Sequence, residues 1–188
     1  MSLHHAILGL LSVMPMTGYD LKTQAFDESV THFWQADQSQ IYRSLSKMEE
    51  DGWLTYDLEV QDGRPNRKVY HLTTDGRTEL DRWLRMAQPL PVNREAFLVQ
   101  LFFGWTLTNQ TLLELVAGQR AGHAARLAEF AQIPMPPLED PQIDRMRTLW
   151  RLTLELGMAI ERTYLDWLDQ CTAVITNLPE ADKAKPQA

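Results

Sequence analysis

Apolar residues recur at Ile41, Leu45 and Met48, with Trp53 and Leu54 just past Gly52, so residues 37–52 predict an amphipathic helix with one buried stripe. Gln40, Arg43, Ser44 and Lys47 are left for its outer side. Asp37 or Ser39 is placed to cap the start, because a short oxygen side chain accepts from a free backbone N–H, and Gly52 supplies the left-handed residue that ends it. The period then changes. From Trp53 to Val60, and again from Lys68 to Leu72, apolar residues alternate, with Asp62 and Gly63 between them as a turn, which predicts a hairpin. Upstream, Leu3, Ile7, Leu10 and Leu11 share one face of a first helix that Pro15 closes. Thr17 caps a second helix through Tyr19, Leu21 and Phe26, where Gly18 permits close approach of a neighbour. A polar and aromatic connection follows over 30–36. Thr74 or Asp75 opens a fourth helix through Leu80, Trp83 and Leu84. Helix, helix, helix, hairpin is the order of a winged helix-turn-helix, whose third helix enters the major groove.

Pro89 and Pro91 interrupt the helical pattern, so the expected domains are a winged helix-turn-helix at 1–87, a linker at 88–93 and a helical domain at 94–178. In the second part Phe97, Leu98, Leu101, Phe102 and Trp105 mark one dense apolar helix. Val116, Leu127 and Phe130 mark the buried side of another. After a proline-rich loop at 133–141, a long helix over 142–177 carries the stripe Met146, Leu149, Trp150, Leu156, Ile160, Tyr164, Trp167, Leu168, Cys171 and Ile175. Half a chain cannot cover such a stripe, and its economical partner is the same helix of a second copy about a two-fold axis, which makes Met146 through Leu168 the expected homodimer interface. An intramolecular three-helix bundle is the alternative. The small, polar residues 179–188 read as a disordered tail. The fold class is thus mainly α with a small β-hairpin wing.

A formal charge of −7 argues against indiscriminate binding to polyanions, so any nucleic-acid contact must be local. Arg64, Arg67 and Lys68 at the hairpin tip, with Arg43 and Lys47 on the preceding helix, form such a patch, partly offset by Asp57, Glu59 and Asp62. Arg43 suits bidentate contact with guanine and Gln40 with adenine, whereas Lys47 suits phosphate as a point charge. Ser39 and Tyr42 suit hydroxyl bonds to phosphate, with a packing role for Tyr42 as the alternative. The wing bases would track the backbone or the minor groove, so loss of Arg67 or Lys68 is expected to weaken all sequences and flatten the salt dependence.

The single cysteine, Cys171, rules out an internal disulfide and reads as core filling in a reducing cytosol. The apolar run 6–14 is too short to span a bilayer, which predicts a cytoplasmic protein without membrane contact. His4, His5, His32, His71 and His123 show no metal-ligand spacing, and no phosphate loop or nucleophile elbow is present, so no enzyme, metal or cofactor is expected. His4 and His5 lie at a helix end where solvent exposure is the default. Trp105, Trp150 and Met158 are candidates for a pocket holding a small aromatic effector, beside the plainer reading of core and interface packing. A winged helix that binds protein instead of DNA is a further alternative, opposed by the basic wing.

The opening LHHAILGLLSVMPMTGYDLKTQAF, the helix QIYRSLSKMEEDGWL and the wing GRPNRKVYHLTTDG together resemble the PadR-like transcriptional regulators. The helical remainder, with FLVQLFFGWTLTNQTLLELV and a long last helix, is similar to the branch that includes virulence gene activators. The resemblance implies a bacterial homodimer that binds double-stranded operator DNA. By position it assigns Ser39, Gln40, Tyr42, Arg43 and Lys47 to the recognition helix. Tyr19 falls in the GYDL pattern, and Arg64, Asn66, Arg67 and Lys68 fall in the wing. Some members of the family respond to phenolic acids or planar drugs, so an aromatic effector is implied more weakly than DNA.

Overall fold

The computed structural model describes residues 2–60 and 66–179, and within these the chain separates into two compact units that part between Leu90 and Pro91. In the first, α1 (Ser2–Val13) and β1 (Met16–Thr17) lead into α2 (Gly18–Asp20), which runs on as a π-helical turn over Leu21–Phe26. A 3₁₀ turn at Val30–His32 precedes α3 (Gln38–Glu50), and β2 (Leu54–Glu59), β3 (Arg67–Leu72) and α4 (Thr74–Leu84) complete the unit. The strands form one antiparallel sheet in the order β1-β3-β2, with Leu54 opposite Leu72 and Tyr56 opposite Tyr70. The helices and this sheet make a winged helix-turn-helix, as the periodicity predicts. The two-residue β1, which adds Met16 and Thr17 to the far side of β3, goes beyond that prediction.

The core of this unit joins every element. Ile7, Leu8, Leu21, Phe26, Ile41, Leu45 and Met48 have no solvent exposure, and each such side chain contributes roughly 1.5–3 kcal/mol of transfer free energy. Two expectations fail here. Ser44 is buried, because it lies three residues after Ile41 and so belongs to the inner stripe with Leu45 and Met48. His5 is buried as well. Its Nε2 lies 3.0 Å from Glu79 of α4, and its ring stacks 4.5 Å from Trp83. Along β2 the alternation fades outward: Leu54 is buried, Tyr56 half-buried and Leu58 exposed, as is Val60 just past the strand.

Glu79 ties α1 to α4 and makes a pH prediction. The Arg82 guanidinium donates two 2.7 Å hydrogen bonds to it, and these, followed by the His5 contact, hold its carboxyl down to about 2. A carboxyl depressed on folding adds stability that is present above its ordinary pKa and is lost as pH falls through the folded value. Stability of the first unit should therefore decline between about pH 4 and 2. Glu79→Gln should flatten that decline in acid titrations followed by circular dichroism.

Residues 87–95 form neither helix nor strand. The second unit then holds α5 (Ala96–Phe103), a 3₁₀ turn (Gly104–Thr106), α6 (Asn109–Gln132) and α7 (Arg145–Thr176). The turn explains why Trp105 falls outside the helix expected for it. α6 and α7 pack along their length, with Phe97, Leu112, Val116, Leu168 and Ile175 in one cluster and Phe130, Leu154 and Met158 in another. Cys171 packs half-buried against the first, and burial pushes its thiol pKa up.

Between the clusters sits a polar group that periodicity does not single out. Glu161 is only 3% exposed, with His123 Nδ1 at 2.5 Å and Arg126 Nη1 at 3.4 Å. Tyr164 stacks on His123 with ring centroids 4.3 Å apart and donates to Glu95 at 2.5 Å. Burial and that carboxylate raise the Tyr164 phenol to about 12, so it stays a donor at neutral pH. The expected tail beyond Pro179 lies outside the described residues.

Candidate nucleic-acid interface

The local chemistry of α3 fixes its start. Asp37 accepts from the Gln40 backbone N–H at 2.7 Å, while Gln40 Oε1 accepts from the Asp37 N–H at 2.9 Å, forming a reciprocal capping box. Its end is fixed by Gly52, whose φ of 74° only glycine adopts without strain. Gly18 brings α2 against α3: a Cβ there would lie 2.7 Å from the Tyr42 ring. Tyr42 thus packs on α2 while remaining 39% exposed.

The outer side of α3 carries Ser39, Gln40, Arg43 and Lys47, all exposed. They differ in what already holds them. The Gln40 oxygen is engaged in the cap, leaving its amide N–H₂ outward. Lys47 donates to Asp51 at 2.6 Å, which raises its pKa. Arg43 has no ion pair among the described residues, so its guanidinium is available to a ligand. Tyr19 on α2 is 56% exposed.

On the wing, Arg64 and the Asp62–Gly63 turn lie outside the described residues, and Asn66 is exposed. Arg67 and Lys68 open β3 beside that turn, Arg67 opposite Glu59 and Lys68 opposite Leu58. Both are on β3 and both are turned back onto the protein: Arg67 Nη2 lies 3.3 Å from Asp20 and 3.4 Å from Thr17 Oγ1, while Lys68 Nζ lies 3.3 Å from Glu49. Their partners are 47 and 19 residues away in sequence, too distant for charge patterning to reveal.

The residues expected at a dimer interface divide between two faces of α7. Met146, Leu149, Trp150, Leu156 and Ile160 are 44–62% exposed. Leu168 has no exposure and is spent in the core against α6, with Tyr164 and Trp167 half-buried beside it, Trp167 edge-on to Phe97. The candidate effector residues are also apart: Met158 is buried with Phe130 and Leu154, whereas Trp105 and Trp150 are exposed. None of them lines the cavity of about 160 Å³ along α6, which is bounded by Gly118, Gln119, Gly122, His123 and Arg126. No group of three or more metal-ligating side chains occurs among the described residues, and no helix there is long and apolar enough to cross a membrane.

A capped helix with an uncommitted arginine, set between a packed α2 and a sheet, defines a winged helix-turn-helix protein with a second, helical unit. Residues 7–82 match the transcriptional regulator PadR-like family, and residues 93–176 match the virulence activator alpha C-terminal family. The negative transcriptional regulator PadR of Bacillus subtilis (strain 168) is 31% identical over 92% of this chain and 97% of its own. The chain therefore belongs to the PadR-like family of transcriptional regulators.

Solved structures agree. The Bacillus subtilis PadR complex with operator DNA superposes with a TM-score of 0.81 at 30% identity, covering 93% of this chain and 99% of that one. The complex of the same regulator with p-coumaric acid gives 0.73 at 30%, covering 94% and 96%. The Vibrio cholerae virulence activator AphA gives 0.74 at 30%, covering 93% and 98%.

Proposed function

We propose that this regulator binds operator DNA sequence-specifically as a homodimer, with α3 in the major groove of each half-site. The observation that carries the reading is Arg43, exposed and without an ion pair among the described residues, on a rigidly capped helix in a chain whose charge of −7 otherwise repels phosphate. The operator complex of the Bacillus subtilis relative supports it. Arg43 reads guanine, the outward amide of Gln40 reaches a neighbouring base edge, and Ser39 and Tyr19 meet phosphate, while Lys47 is held by Asp51. A DNA partner supports a cytoplasmic location.

The homodimer reading rests on α7. Met146, Leu149, Thr153, Leu156 and Ile160 are spaced 3, 4, 3 and 4 residues apart, the heptad seam of paired helices, and the four apolar members stay exposed in a single chain. A small aromatic acid as effector is supported by the p-coumaric acid complex of the relative. Since Trp105, Trp150 and Met158 lie apart in one chain, such a ligand would take other residues or a site completed by the second copy.

The test is selection of duplexes from a random-sequence library by the full chain, then titration of every single-base variant of the selected site. Arg43→Ala should cost roughly 1–3 kcal/mol at one base pair per half-site and leave the other positions ordered as before. Failure of the wild-type chain to enrich any sequence would overturn the reading.

A further inference from the structure

Resting on that reading of α3, we infer that Arg67 and Lys68 are positioning residues and that the carboxylates of Asp20 and Glu49 belong to the recognition machinery. Successive residues of a strand point to opposite faces, so Arg67 and Lys68 leave β3 on its two sides. Each reaches a different helix of the reading head. Arg67 meets the start of α2, where Thr17 Oγ1 accepts from the Asp20 N–H at 3.1 Å and donates to Asp20 Oδ2 at 2.7 Å. The same Oδ2 receives Arg67 at 3.3 Å, and Gln24 donates to the other oxygen at 3.1 Å. Lys68 meets the last turn of α3 through Glu49 and lies 3.7 Å above the centre of the Tyr56 ring on β2. One strand is thereby tied to both helices.

A carboxylate on a face that meets phosphate is electrostatically unfavourable unless it does something else. Here both acids hold cations that would otherwise swing freely on long side chains. A cation held by a carboxylate is partly neutralised, which makes it a poor phosphate contact and a good strut. The struts set the angle between the wing strand and α3. That angle decides whether Arg43 meets a base edge while the wing lies along the same duplex.

The sign of the charge effect separates this role from direct contact. The full-length protein and its variants are titrated with the duplex that the wild-type chain selects and with a scrambled duplex of the same length, over a range of salt. Glu49→Gln and Asp20→Asn should each weaken the selected duplex, roughly two- to fivefold on the scale of a partly exposed ion pair, although each removes a negative charge. Scrambled duplex should bind as well as before or better, so selectivity falls. Lys68→Met should show the same loss with an unaltered salt slope, and combining it with Glu49→Gln should add nothing further. Lys68→Arg, which keeps the charge and the reach, should restore selectivity.

Tighter binding of the selected duplex by Glu49→Gln, or a salt slope lowered by about one in Lys68→Met, would make Lys68 a phosphate contact and overturn the inference. Unchanged selectivity in both acid variants would overturn it equally. A wild-type chain that selects no duplex fails earlier, on the reading of α3 itself, and is told apart by that.

Discussion

Leu156→Asp is expected to make the protein monomeric and to abolish high-affinity operator binding without unfolding it. Leu156 is 62% exposed in one chain, so an aspartate there is hydrated in the monomer and costs the fold little. In a two-fold pairing along the 146–160 seam the change appears twice, placing two carboxylates in an apolar, water-poor strip. An unpaired charge moved out of water costs several kcal/mol, so the dimer constant should weaken by at least about a hundredfold. Loss of the second head then removes half of the DNA contacts. Sedimentation velocity should show a single-copy species, with the helical circular dichroism of the parent retained. A dimer unaffected by Leu156→Asp would move the interface elsewhere, with the exposed α5 residues Val99, Phe102 and Phe103 as the next candidates.

The largest expected effect on stability is at Gly76. The Thr73 N–H donates to the Trp53 carbonyl at 3.1 Å, and its hydroxyl donates to the Gly52 carbonyl at 2.7 Å. Its Oγ1 also accepts from the Gly76 N–H at 3.1 Å, capping α4. The junction that ends α3 and starts α4 is therefore closed by backbone groups, and a Cβ on Gly76 would stand 2.2 Å from the Trp53 oxygen. Backbone cannot step aside as a flexible side chain can. Gly76→Ala should cost about 2–3 kcal/mol, and the melting temperature of the first unit should fall by roughly 10–20 °C. Gly122→Ala makes the contrast, since nothing lies within 4 Å of its Cβ. It should stabilise α6 by up to about 1 kcal/mol. Calorimetry on the full chain reads both.

The difference between these glycines is invisible in the sequence, and so are most departures from expectation; the burial of Ser44, three residues after Ile41 on the inner stripe, is the exception. α3 was legible because its signals are local: the stripe Ile41, Leu45 and Met48, the cap Asp37 with Gln40 three residues on, and Gly52 at the end all lie within one short segment. β1 was not, because two residues carry no period and Thr17 finds Val69 only once the chain has folded back. The burial of His5 needs Glu79, 74 residues away, and the tethering of Arg67 needs Asp20. On α7 the apolar stripe crosses from one face to its neighbour near Tyr164. Both faces carry large apolar residues, and only the packing of α6 shows that Leu154, Met158, Leu168 and Ile175 are already covered while Leu149, Leu156 and Ile160 are not. The set proposed to face DNA was legible only as polar and basic residue types on the outer side of a helix. What holds each side chain, such as the cap on Gln40 and the carboxylate on Lys47, was not.

The most direct test of two reading heads on one duplex is the stoichiometry and affinity of the full chain on its selected duplex, followed by sedimentation at low and at physiological salt. Two chains per duplex are expected, arriving as a preformed dimer and discriminating against scrambled DNA by about a thousandfold or more. A single-copy protein that binds selected and scrambled DNA alike, or neither, would contradict the account.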